Sequence, residues 1–261
     1  MRSFERDQEE QSPRWPSGIQ AVQNKAGGFY SFTAVSGKKK LGKSMLAVRS
    51  SIEAAETDQW YVHFLYGEGT AEQVRGHVRR VLGPERSGEL PQWMDRWRAV
   101  RFGPGTHIET LVENISVRLP ARAERLLIVL DSGNRLARFM QTARRNAMDY
   151  LRGLGRICQI AQTSSEESGG AIGWLVLSET NQRGGMVGLD VEHSASCLLY
   201  LRSTRNPEAV KMKLESRESE GGDLGTLKRV WQDCRFKHDL EVVKPEAEDE
   251  PGAWGDVELP F

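Results

Sequence analysis

The chain has 261 residues, 38% of them apolar, with 36 basic and 36 acidic side chains and therefore no net charge. That is enough to bury the core of one α/β domain, and the neutral balance excludes binding of nucleic acid through an overall basic field. Cys158, Cys197 and Cys234 are far apart with no C-x-x-C pair, which argues against a zinc knuckle or disulfide scaffold and fits a reducing, cytoplasmic setting. No apolar run approaches the roughly 18 residues of a membrane span, and the charged N-terminus does not read as a secretory signal.

Taken in order, residues 1–26 are polar, with Pro13, Trp15 and Pro16 as anchors, and read as an N-terminal arm or short cap. Trp15 either packs on the domain, the commoner case, or docks a partner. Beyond it strands and helices alternate. The pattern predicts a strand over Phe29–Ser36, a helix over Lys43–Glu56 and a strand over Trp60–Tyr66. A helix over Thr70–Leu82 follows, with Val74, Val78 and Leu82 on one face. A Gly/Pro-containing loop leads to a strand at Trp97–Phe102 and a helix at His107–Arg118. Leu126–Leu130 is a continuous apolar run ending in Asp131, the mark of a strand buried on both faces. A long helical region is expected over Arg135–Ala161, broken near Gly153–Gly155, and then a polar loop over Thr163–Gly170. Later strands fall at Trp174–Leu177, Ser196–Leu201, Val210–Ser216 and Leu227–Trp231. Such alternation makes βαβ units and a mostly parallel central sheet flanked by helices, closed by a C-terminal group of antiparallel strands. The main domain is expected over residues 27–244. Residues 245–261 carry Glu246, Glu248, Asp249, Glu250, Asp256 and Glu258 without a Lys or Arg, an acidic tail whose composition predicts disorder.

The stretch Gly37-Lys38-Lys39-Lys40-Leu41-Gly42-Lys43-Ser44 is the full G-x-x-x-x-G-K-[ST] pattern between a strand and a helix. Its glycines let backbone N–H groups curl round a phosphate chain, and the helix start adds partial positive charge. Lys43 would reach the β- and γ-phosphates of ATP, Ser44 would ligate Mg²⁺, and Met45 closes the nucleotide-binding stretch. The bland alternative, a glycine-rich turn before an ordinary helix, does not account for both flanks. Whether Lys38, Lys39 and Lys40 add phosphate contacts or face solvent stays open.

Ligands of a parallel sheet sit at the carboxyl ends of its strands. Asp131 suits the carboxylate that holds Mg²⁺; its alternative is a helix N-cap. Glu68, after the strand Trp60–Tyr66, suits the group that orients or deprotonates the attacking water; its alternative is solvated surface. Ser178, Glu179, Thr180 and Asn181 are placed to sense the γ-phosphate.

In their order these features resemble the RecA-like P-loop ATPase core, and specifically the RadA/Sms and DnaB-type helicase branches. The run Phe64–Val74 is similar to the Gly-Glu strand and x-Q-V/I helix of RadA-type proteins and to the S-L-E-M-S-x-E-Q-L segment of DnaB-type helicases. Leu126–Ser132 resembles their Walker B strand, and Leu177–Asn181 their L-S-Q-L-N segment. Gly188–His193, running into Leu198–Tyr200, is similar to a RadA L-E-H segment, and Met212–Arg217 to closing strands with a K-x-R motif. The resemblance covers about residues 27–240. It implies catalytic roles for Lys43, Glu68 and Asp131, and for Arg217 acting on the nucleotide of a neighbouring subunit. That requires a homo-oligomer with head-to-tail contacts: a filament or a ring, hexamers included. It also implies single-stranded DNA as partner, through loops carrying Arg135, Arg138, Arg144 and Arg145, and then Arg183. A solvated arginine face is the alternative. Glu215 stands where the K-x-R lysine would be, Glu179 where helicases have glutamine, and Gln182 where they have arginine. The expected function is an ATPase acting on single-stranded or branched DNA in replication, recombination or repair, helicase- or translocase-like; Glu215 keeps a slow ATP-dependent scaffold or loader as the alternative, and a KaiC-like signalling ATPase is a further one. The terminus Asp256–Phe261 resembles the acidic tip of bacterial single-strand-binding proteins, implying partner docking through Phe261, against a merely solubilising tail.

Overall fold

The protein is described here from a computed structural model, which covers residues 12–83, 92–118, 124–141, 147–180, 189–219, 221–230, 232 and 234–238. Its spine is a nine-stranded sheet in which continuous apolar runs form the central strands. In chain order these are β3 (Phe32–Gly37), β4 (Trp60–Tyr66), β5 (Trp97–Arg101), β6 (Arg125–Asp131), β7 (Ile172–Glu179), β8 (Cys197–Ser203), β9 (Ala209–Ser216), β10 (Gly222–Val230) and β11 (Arg235–His238). They lie in the order β11-β10-β9-β8-β3-β7-β6-β4-β5. From β8 to β5 all neighbours are parallel, and from β8 to β11 they are antiparallel. The expected mixed architecture is therefore the one observed, with β11 as an added strand.

Every residue of β4 is buried, as are the five central residues of β6. Side chains alternate between two apolar layers. On one face, Val35, Phe64, Val129 and Leu177 pack with helix α2 (Lys43–Glu56) and with Val78 of α3 (Ala71–Leu82). On the other, Ala34, Leu65, Ile128 and Val176 pack with α4 (Ile108–Arg118), α5 (Gly133–Phe139) and α6 (Ala147–Glu167). Helix α2 has the predicted bounds. Thr70 caps α3 rather than opening it: its hydroxyl accepts from Gln73 N–H while the Gln73 side chain accepts from Thr70 N–H, a capping box written in the sequence as T-x-x-Q.

Three local expectations need correction. The predicted strand Phe29–Ser36 breaks at Ser31, because the Thr33 hydroxyl donates back to Tyr30 O at 2.9 Å and closes a turn. Its first part, β2 (Phe29–Tyr30), pairs instead with β1 (Arg14–Trp15). Together with α1 (Gln20–Ala26), β1 brings Trp15 and Val22 into the main core, and Trp15 meets Trp60 edge to face at 5.3 Å. The helix expected to break near Gly153–Gly155 runs straight through them. Gly153 lies against Ala137, where a Cβ would approach the Ala137 carbonyl to 3.2 Å, so the glycine serves close packing of α5 on α6. The predicted polar loop over Thr163–Gly170 is largely helix up to Glu167. Ser164 donates to Ile160 O at 2.7 Å and accepts from Trp174 Nε1 at 2.8 Å, while Gln162 pairs with Glu166, which satisfies these polar side chains within the helix.

Candidate functional site

The parallel register places four chain segments side by side at one edge. Gly37 is opposite Glu179, and Tyr66 is opposite Asp131, so the residues after β3, β4 and β6 leave the sheet together with the end of β7. The Gly37–Ser44 loop follows β3. Gly42 sits at φ +93°, where a side chain is strained, and a Cβ there would come within 3.0 Å of the Phe236 ring. Lys39, Lys40, Gly42, Lys43, Ser44 and Met45 line a cleft of about 290 Å³ together with Glu68, Asp131 and Glu179. A second hollow of about 650 Å³ continues from it over α3, past Ser44, Glu68, Gln73, His77 and Arg80. Lys38, Lys39 and Lys40 are exposed, and Lys39 reaches the Glu179 carboxylate at 3.7 Å.

Inside the cleft, Lys43 Nζ donates to the carbonyls of Gly37 at 2.6 Å and Lys38 at 2.8 Å. Burial pushes its pKa down, while Glu179, Asp131 and Glu68, in that order, push it back up. Burial raises the Asp131 carboxyl to about 6, against a smaller lowering by its hydrogen bond to the Ser44 side chain. A hydroxyl and a carboxylate side by side are the oxygen pair that a P-loop offers to Mg²⁺, a hard cation that keeps most of its water. The residues present therefore fit that metal. Glu68 is exposed and faces both hollows, two residues past the end of β4.

Glu179 is fixed from behind. Its backbone N–H donates to Asn134 Oδ1 at 2.7 Å, and buried Asn134 donates through Nδ2 to the Tyr150 hydroxyl at 2.6 Å. Asn134, Tyr150 and His77 went unread in the sequence, because nothing local marks a residue whose partners lie on other elements. The same holds for Arg229 and Phe236, which reach the loop from β10 and β11: Arg229 donates to the carbonyls of Lys40 and Pro207, and Phe236 abuts Gly42. Arg229 falls within the strand predicted at Leu227–Trp231, and Phe236 lies beyond any predicted strand.

Arg217 is not brought to this cleft. It follows β9, whose end pairs with the start of β8, at the opposite, amino edge of the parallel strands. Its N–H donates to Ser196 O and to the Tyr30 hydroxyl, and its guanidinium donates to His193 O. Glu215 pairs with Lys213 at 2.7 Å. Arg135 lies on α5 with its guanidinium carbon 4.5 Å from the Phe139 ring centre, and Arg138 is exposed on the same helix. Arg144, Arg145 and Arg183, with Asn181, Gln182 and the tail from 239 onward, lie outside the described residues.

No protein-family model matches the chain, and no curated protein does. Solved structures do. One, an ATPase domain, is 13% identical with a TM-score of 0.62, covering 88% of this chain and 93% of that one. A KaiC-like protein of Pyrococcus horikoshii OT3 is 18% identical, TM-score 0.61, over 87% of this chain and 99% of its own. A DnaB-like replicative helicase, solved for its interactions with primase, is 12% identical, TM-score 0.60, over 86% of this chain and 62% of that chain. A P-loop at the carboxyl edge of a parallel sheet closed by antiparallel strands is the RecA-like P-loop fold. Within that fold, this chain is similar to ATPase cores of the DnaB-like and KaiC-like kinds.

Proposed function

We propose that the protein is an ATPase that binds ATP·Mg²⁺ in the cleft at Gly37–Ser44 and acts on single-stranded or branched DNA in replication, recombination or repair. The observation that carries the nucleotide assignment is the convergence of Lys43, Ser44, Asp131 and Glu68 on one cleft from three strands. In this reading Lys43 exchanges its two backbone carbonyls for the β- and γ-phosphate oxygens. Ser44 and Asp131 would hold Mg²⁺, which would neutralise charge on the phosphates. Glu68 aligns the attacking water and accepts its proton. Phe236 and Arg229 brace the loop itself, at Gly42 and at the Lys40 carbonyl. The expected domain start at 27 moves back to the β1–α1 segment, because Trp15, Ile19, Val22 and Ala26 lie in the main core; the domain is taken to run to 244, with 245–261 as the acidic tail.

Arg217, being on the far edge, cannot serve its own cleft and is assigned to the cleft of a neighbouring subunit. An arginine presented on one surface and a nucleotide on another calls for head-to-tail assembly, closing into a ring or extending as a filament. The DNA side of the reading is carried by Arg135 and Arg138, with Arg144, Arg145 and Arg183 assigned to the same role from sequence. The tail ending in Phe261 is assigned to partner docking.

A second reading, a slow ATP-dependent scaffold or loader, is favoured by one observation. Glu215 stands at the K-x-R lysine position and turns its carboxylate to Lys213 at 2.7 Å, so no lysine is offered from that position. Phosphate release measured with and without single-stranded DNA, beside mass measurement with and without ATP, separates these. Stimulation by DNA with nucleotide-dependent assembly supports the motor; assembly without stimulation supports the scaffold. Neither binding nor hydrolysis of ATP would remove both.

A further inference from the structure

We propose that Arg101 and Arg135 together seat one phosphodiester phosphate of a single-stranded nucleic acid, in a pocket next to Gly67 and so one residue from Glu68. This rests on the reading that the protein acts on single-stranded DNA, and it adds Arg101 and a defined seat. The pocket measures about 370 Å³ and is lined by Gly67, Arg101, Phe102, Pro104, Arg135 and Phe139. It forms where three segments leave the carboxyl edge: Gly67 after β4, residues 101–104 around the end of β5, and α5 after β6.

Its two arginines are suited to an anion. Arg101 is exposed, and no carboxylate pairs with either arginine among the described residues. The Nε–H of Arg135 is buried with no hydrogen-bond acceptor among them. The Phe139 ring beneath the Arg135 guanidinium, itself set edge to face against Phe102 at 6.0 Å, holds that fork in place before any ligand arrives. Two guanidinium forks around one phosphate make short, charge-assisted and bidentate hydrogen bonds. Inorganic phosphate has the same chemistry. A strand is favoured because Arg138 lies three residues further along α5, exposed and without a carboxylate partner among the described residues, in reach of a neighbouring phosphate.

The walls of the pocket are also the backing of the catalytic carboxylates. A Cβ on Gly67 would fall 2.2 Å from the Phe102 ring, so that ring lies directly against the residue preceding Glu68. Gly67 N–H donates to Asp131 O at 2.8 Å, and Arg135 N–H donates to Ser132, next to Asp131. The phosphate seat and the backbone that carries Glu68 and Asp131 therefore share their walls.

The test is binding of a fluorescein-labelled oligothymidylate to the full chain, followed by anisotropy over a series of KCl concentrations. Arg101→Gln, at an exposed position, should keep the wild-type melting temperature, weaken binding about tenfold, and lower the slope of log affinity against log salt by about 0.7, the share of one single-strand phosphate. Arg135→Gln should act in the same direction. Unchanged affinity and slope in both variants would overturn the pocket while leaving DNA binding intact. A wild-type protein that binds no oligonucleotide would overturn the pocket and the DNA reading together. Displacement of the strand by inorganic phosphate at equal concentration would show a free-anion site and overturn the strand assignment.

Discussion

In the parallel half of the sheet, β4, β6 and β7 bury almost every side chain, and polar chemistry begins only where each strand stops. In the antiparallel half, β9 alternates buried and partly exposed residues from Val210 to Glu215, so Lys211, Lys213 and Glu215 stand along the strand itself, and β10 buries only Leu224 and Leu227. The buried parallel strands place their polar chemistry at the carboxyl edge, where Lys43, Ser44, Glu68 and Asp131 meet. The second half presents its charges sideways, toward whatever lies beside the sheet, with Arg217 at the far edge. The difference teaches a division of labour. The parallel half builds the cleft, while in the proposed assembly the antiparallel half, through Arg217, completes the cleft of another copy.

The sharpest way to break that comparison is subunit mixing. Glu68→Gln should lower turnover about 10²–10⁴-fold with ATP binding retained, and Arg217→Ala about 10³-fold, also with binding retained. Mixed together, the two inactive proteins should regain part of the wild-type phosphate release, because some interfaces then pair an intact Glu68 with an intact Arg217. No recovery on mixing, or wild-type turnover by Arg217→Ala, would end the division between the halves.

The next effect is on stability. Trp60, fully buried at the start of β4 and packed edge to face on Trp15, should cost about 3–5 kcal/mol when changed to Ala, read by urea denaturation. Lys213→Ala, on the partly exposed face of β9, should cost less than about 1 kcal/mol. Equal losses would mean that the two halves are not built differently.

A smaller effect comes from Asp131, whose folded-state pKa of about 6 lies above its ordinary 3.8. The folded chain thus prefers the protonated carboxyl, and that preference stabilises it below about pH 4 and is lost as pH rises through about 6. Asp131→Asn should flatten this dependence and make the protein, without Mg²⁺, about 2–3 kcal/mol more stable than wild type at pH 7. Denaturation midpoints at pH 4.5 and 7 check it; parallel shifts of both proteins would contradict it. The smallest effect is at Glu179, which turns a carboxylate toward the phosphate site. Glu179→Gln should tighten ATP about three- to tenfold by removing that repulsion, seen with a fluorescent nucleotide. Weaker binding would instead give Glu179 a favourable role through its contact with Lys39.

Much of this arrangement was legible in the sequence, for a physical reason. A strand buried on both faces must be apolar throughout, so the runs at Trp60–Tyr66 and Leu126–Leu130 could be read directly, and Glu68 and Asp131 with them as the first acidic groups beyond. The phosphate loop was legible because its glycines and lysine are contiguous. What stayed hidden depends on contacts between distant segments. Gly153 looks like a helix breaker until Ala137 is seen pressed against it, and Asn134 looks like an ordinary polar residue until Glu179 N–H and Tyr150 meet at its amide. Phe236 and Arg229 were hidden for the same reason, arriving at the loop from the other end of the sheet.

The claim on which everything else depends is that the cleft at Gly37–Ser44 binds the triphosphate. Calorimetric titration of ATP with Mg²⁺ into wild type and Lys43→Ala tests it most directly. The account predicts saturable binding by wild type and a loss of affinity of about 100-fold or more in the variant, because a charge-assisted contact to the phosphates is removed. Equal affinity in the two proteins, or no binding by wild type at millimolar ATP, would contradict it.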